Sequence, residues 1–182
     1  MILIPWNETL CLDEFYAEAA RRGFLNNASQ KAMVDCLRNE REWQVWILYK
    51  DNKAVGSVAA HTFDVMGENS YRICVRNCAF PDALPNKGFN KKYFTEYQNV
   101  SAQLFIPKCI EWAGEDKNLY ITTNESEVAS QRLVHRTYMP TLEKQGVVSR
   151  IKDVFYRNTH QTVWQVHPTK FLEELNKYPR WI

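Results

Sequence analysis

No apolar run in the 182-residue chain reaches membrane-spanning length; the opening "MILI" stops at Pro5 and has no basic flank, which argues against a secretory signal and a membrane anchor. Excess charge is scarce too. A formal net charge of +2 is too small to imply a nucleic-acid partner by itself. The five cysteines, Cys11, Cys36, Cys74, Cys78 and Cys109, make no CxxC pair and none of the Cys/His spacings that tetrahedral zinc needs. No metal is therefore expected, and the thiols are expected to be reduced, in a cytoplasmic setting. The signature motifs of several enzyme classes are missing as well: Gly-x-Ser-x-Gly, the Walker loop, Gly-x-Gly-x-x-Gly and His-Glu-x-x-His. Serine hydrolases, P-loop NTPases, Rossmann dehydrogenases and zinc proteases lose support accordingly.

What remains is a folded-protein composition, 45% hydrophobic and 24% charged, over a length that suits one domain, residues 1–182. Leu12, Phe15, Tyr16 and Ala19 recur at helical spacing after Asn7 or Thr9, until Gly23 stops them; Ser29 caps a second helix. "WQVWILYK" and "AVGSVAAHTF" read as a hairpin around "DNK", and "YRICVRNCAF" as a third strand with Arg72, Cys74, Arg76 and Cys78 on one face. A helix through Val100, Leu104, Cys109 and Trp112 follows, kinked or restarted at Pro107. "LYITT" is a short buried strand. A long helix from Glu125 to about Lys144, bent near Pro140, ends at Gly146, and a second hairpin turns around "NTH" before a terminal helix. The order implies an α/β (α+β) fold with a central mixed, mostly antiparallel twisted sheet of about six to seven strands, flanked by helices.

In mixed sheets of this kind ligands bind where neighbouring strands diverge, which draws attention to "LPNKGFNKKY" at the exit of the third strand. It reads either as a solvated basic turn or as a loop in which Gly88, the N–H groups of Asn86 and Lys87, and the charges of Lys87, Lys91 and Lys92 hold a phosphate. His61, near a strand end, is a candidate proton acceptor because imidazole titrates near neutral pH; Asp64 and Glu68 are weaker ones. Arg132, His135 and Arg136 form a basic patch. Trp164, with Tyr156 and Arg157, offers a conceivable stacking surface for a base.

The element order, the stretch "YKDNKAVGSVAA" with Gly56, and "LEKQGV" at residues 142–147 resemble the GNAT superfamily of acyl-CoA-dependent N-acetyltransferases. That resemblance implies acetyl-CoA as co-substrate and a small-molecule or peptide amine as acceptor. It puts the pyrophosphate against Asn86, Lys87, Gly88 and Lys91, where only Gly88 matches the family's Gln/Arg-x-x-Gly-x-Gly/Ala pattern. Asn124 stands where the family has an Asn near the start of the helix after the fifth strand. The family's acid, a Tyr four residues before the closing glycine, is Leu142 here; Tyr138, about one turn earlier, is its substitute. A catalytically silent GNAT-like binding or assembly module is the alternative, and a nucleic-acid-binding domain the weaker one. Monomer and homodimer are both compatible with the sequence.

Overall fold

A computed structural model of the chain describes residues 1–6, 37–50, 53–76, 100–114, 116–125, 132 and 134–177. Seven strands form one sheet in the order β1-β2-β3-β4-β5-β7-β6. They are β1 Ile2–Pro5, β2 Trp43–Lys50, β3 Lys53–Thr62, β4 Ser70–Arg76, β5 Asn118–Thr123, β6 Val148–Tyr156 and β7 Thr159–Val166. Every neighbouring pair is antiparallel except β4 and β5, which run parallel. A parallel pair needs a crossover, and α1 (Ile106–Ala113) lies on it. The expected mixed, mostly antiparallel sheet is thus present. It gains an edge strand, β1, from the apolar run at residues 2–5, which is too short to show strand alternation; an edge position tolerates its Pro5.

The two faces of the sheet have different covers. Trp46, Leu48, Val58, Ala60, Tyr71, Ile73 and Leu119 pack with Phe105, Ile106, Cys109 and Ile110 of the α1 region and with Tyr138, Met139 and Leu142 around α2 (Met139–Lys144). Burying side chains of this size stabilises by about 1.5–3 kcal/mol each, so packing rather than propensity holds these short helices in place. The opposite face carries Val45, Ile47, Ala59 and Cys74 beneath Leu37, and Phe63, Tyr120 and Val163 beside them. The two N-terminal helices expected from the sequence lie outside the described residues.

Pro107 and Pro140 each follow a wide turn. A π-helical turn, Ser101–Phe105, runs into α1 just before Pro107, and another, Val134–Tyr138, runs into α2 just before Pro140. Proline lacks the N–H that would bond the carbonyl four residues back, and a π turn relieves the clash without ending the helix. Gly146, at φ 74°, then closes α2, with the Val147 N–H donating to the Leu142 carbonyl. α3 (Pro168–Leu175) closes the described part of the chain, with Phe171 buried against the core. The second hairpin turns one step earlier than expected: its central residues are Arg157 and Asn158, both at positive φ (50° and 61°), the geometry of a type I′ turn.

Candidate functional site

The sheet is interrupted at one place in its middle. β4 and β5 pair from Ser70↔Asn118 to Ile73↔Ile121 and then cease to pair, although both strands continue. Past that point β4 keeps its register with β3 out to Arg76↔Ser57, and β5 keeps β7 out to Thr123↔Thr162. Each strand therefore holds its outer neighbour and loses its inner one. Among the described residues the sheet thus opens beyond Ile73 and Ile121, with Cys74 and Thr122 the first residues on either side.

Side chains of one face gather beside this opening. His61 of β3 is fully buried, next to Arg72 and Cys74 of β4. Its Nδ1 donates to the Thr62 carbonyl at 2.7 Å and lies 3.6 Å from Glu40 Oε1; its Nε2 lies 3.5 Å from Cys74 Sγ and 3.4 Å from Arg72 Nη1. The Arg72 guanidinium donates through Nη1 to Cys74 Sγ (2.7 Å) and through Nε to Thr122 Oγ1 (2.7 Å), joining the two parting strands. Glu40 accepts from Arg157 Nη2 at 3.1 Å and from Thr62 Oγ1 at 3.3 Å. Tyr156 packs between two guanidinium groups, with Arg72 at 5.1 Å and Arg157 at 5.2 Å from its ring centroid. The I′ turn thus puts Arg157 over the site, although a β-hairpin of this kind favours Asn or Gly there.

The charges shift proton affinity in one direction. Burial opposes a charged imidazole, but the charge and hydrogen-bond interactions with the Cys74 sulfur and Glu40 outweigh it, with Arg72 in opposition, and His61 is raised to about 9. The His61 contact lowers Glu40 in return, against burial and with help from Arg157. His61 is accordingly protonated at neutral pH. At about 9 His61 holds a proton more tightly than a free imidazole, which favours a donor in the resting site. It is buried because its face of β3 lies under the cover that also buries Ala59.

Tyr138 lies on the other face, in the core with Met139 and Leu142. Its hydroxyl is buried and, among the described residues, has no partner in hydrogen-bond geometry; burial, opposed by the nearby Ser101, pushes its pKa up to about 12. His61 and Tyr138 are therefore separated by the sheet. Asn124 immediately follows β5 and is half-buried. Asn86, Lys87, Gly88 and Lys91 lie outside the described residues.

His135 does not join a solvated basic patch: its Nδ1 is 2.9 Å from Thr123 Oγ1, which also accepts from Trp164 Nε1 at 2.8 Å, and Glu125 draws in Arg136 at 2.5 Å. Trp164 is buried in the core rather than exposed as a stacking surface. Asp64 pairs with Arg41 on the surface (2.9 Å), away from the opening. The sequence alone does not mark Glu40, Arg72 and Cys74 as site residues. The one available signal was Arg72 and Cys74 alternating on a buried strand face, where a cation requires partners. Among the described residues no set of three or more His, Cys, Asp or Glu side chains is arranged to hold a metal, and no helix is long and apolar enough to cross a membrane.

No protein-family model matches the sequence, and no curated protein matches it. Solved structures do match its shape. The aminoglycoside 6'-N-acetyltransferase from Enterococcus faecium superposes with a TM-score of 0.54 at 11% identity, over 91% of this chain and 95% of that one. An acetyltransferase of the GNAT family from Desulfovibrio desulfuricans gives 0.51 at 10% identity over 90% and 97%, and an acyl-CoA N-acyltransferase from Pseudomonas aeruginosa 0.50 at 12% over 91% and 98%. These likenesses concern the fold.

Proposed function

We propose, for a chain with the GNAT acyl-CoA N-acyltransferase fold, that the protein transfers an acetyl or related acyl group from acetyl-CoA to an amine. The observation that carries this reading is the parting of β4 from β5, flanked by the buried His61, whose surroundings raise its pKa to about 9. Parted strands leave room for an extended chain such as pantetheine to take the place of a neighbouring strand, and the thioester would then lie beside Cys74 and Thr122. Fixing thioester and amine together there supplies much of the acceleration by proximity. The nucleotide end of the CoA would meet Asn86, Lys87, Gly88 and Lys91 at the exit of β4, with Asn124 at the exit of β5.

His61 is the proton-transfer group in this scheme. At about 9 it lies close to the ordinary thiol range of about 8.5, so proton exchange with a departing thiolate is nearly balanced. Tyr138, at about 12, is a much poorer acid and serves as a hydrogen-bond donor that stays protonated. The acceptor is a small-molecule or peptide amine. Mixing the protein with acetyl-CoA and a panel of primary amines, an aminoglycoside among them, and following free CoA thiol tests the reading. Amine-dependent thiol release is expected. Acetyl-CoA binding without turnover on any amine would identify the silent binding module instead.

A further inference from the structure

One cysteine of this fold is placed unlike the other described one. Cys109 is buried among apolar side chains, and burial pushes its thiol up, so it stays neutral and inert. Cys74 instead completes a file of carboxylate, imidazole and sulfur: Glu40 Oε1 is 3.6 Å from His61 Nδ1, and His61 Nε2 is 3.5 Å from Cys74 Sγ. Arg72 adds a second donor to the sulfur at 2.7 Å. Two N–H groups on cations directed at one sulfur favour its thiolate form, the nucleophilic one. Cys74 is also the first β4 residue beyond the last β4/β5 pair, at the mouth of the opening.

We propose that Cys74 is a covalent acyl carrier: its sulfur takes the acyl group from acyl-CoA as a thioester and then yields it to the amine. This rests on the acyl-CoA reading above and adds a two-stage course to it. In the first stage the Cys74 thiolate attacks the carbonyl carbon of acyl-CoA. The carbon–sulfur bond to CoA breaks, and the CoA thiolate takes the proton from His61 Nε2, leaving acyl-Cys74, a neutral imidazole and free CoA thiol. In the second stage a neutral amine attacks the Cys74 thioester. The carbon–nitrogen bond forms, the bond to Cys74 breaks, and the nitrogen's surplus proton passes to His61, which restores thiolate and imidazolium. Acylation removes the sulfur's negative charge, one of the influences that hold the His61 proton against burial, so His61 becomes a base when the amine needs one. Glu40, which touches neither sulfur nor substrate, is a positioning residue.

The test is an acid quench of the full chain after mixing with acetyl-CoA alone, with intact mass and peptide mapping, and with acetyl-CoA binding measured separately by calorimetry. A mass increase of one acetyl group on the peptide containing Cys74 is expected. Hydroxylamine or an added amine should discharge it, Cys109→Ala should retain it, and Cys74→Ser should lack it. His61→Asn should slow its appearance roughly 10²-fold. Acetyl-CoA that binds the unaltered protein yet leaves no adduct, or an adduct on another residue, overturns the carrier role and leaves direct transfer standing. Failure to bind acetyl-CoA removes both.

Discussion

At the scale of single residues the account turns on how His61 holds its proton. Burial alone would strip it, and the Cys74 sulfur and Glu40 reverse that. Glu40→Gln keeps the shape and removes one of the two negative groups, so the His61 midpoint, followed by NMR of the imidazole, should fall from about 9. A midpoint that stays put would mean that Glu40 contributes nothing. The same shift links stability to pH. A histidine raised from 6.5 to about 9 on folding contributes fully below 6.5 and loses that contribution as pH rises through 9. Because the thiolate proposed for Cys74 gives up one proton on folding while His61 takes one up, the two offset between 6.5 and about 8.5, and denaturant unfolding should show stability falling only as pH rises through about 9. Tyr138 gives a prediction of the opposite kind. An unpartnered buried hydroxyl costs about 1–3 kcal/mol, so Tyr138→Phe should gain stability of up to that order while acyl transfer slows; unchanged turnover would make the residue structural. His61 was legible in the sequence as a residue to watch, since it closes a strand; its donor state was not. That state arises from Glu40 and Cys74, 21 and 13 residues away in sequence and brought to His61 by the pairing of β3 with β2 and with β4.

At the scale of elements, short local rules read most of the chain correctly. A richness in β-formers around the DNK turn marks β2 and β3, alternation marks β4, and Gly146 marks the end of α2. The departures have local causes. β1 is too brief for a pattern, and the prolines of α1 and α2 are absorbed by π turns that no spacing rule foresees. The second hairpin shows the interplay of element and site. Asn158 suits its left-handed conformation, whereas Arg157 adopts one while reaching Glu40. Asn158→Ala should destabilise by about 1–2 kcal/mol, and Asn158→Gly should be near neutral, read by thermal unfolding. Equal stability of the two would contradict the turn assignment.

At the scale of the whole molecule the fold was easier to read than the chemistry, because the order of strands and helices survives where individual letters change. Gly88 alone matches the phosphate-loop pattern, and Leu142 stands where the family's Tyr would be, yet the sheet still parts between β4 and β5. The site that flanks this opening is built from residues far apart in the chain, with Arg72 bonded to Thr122 across 50 positions and Arg157 to Glu40 across 117. No periodicity carries such information. The most direct test of the central claim is a calorimetric titration of acetyl-CoA into the full chain. Saturable binding that weakens when Thr122→Trp narrows the opening is the predicted result; no heat and no thermal shift at millimolar acetyl-CoA would contradict it.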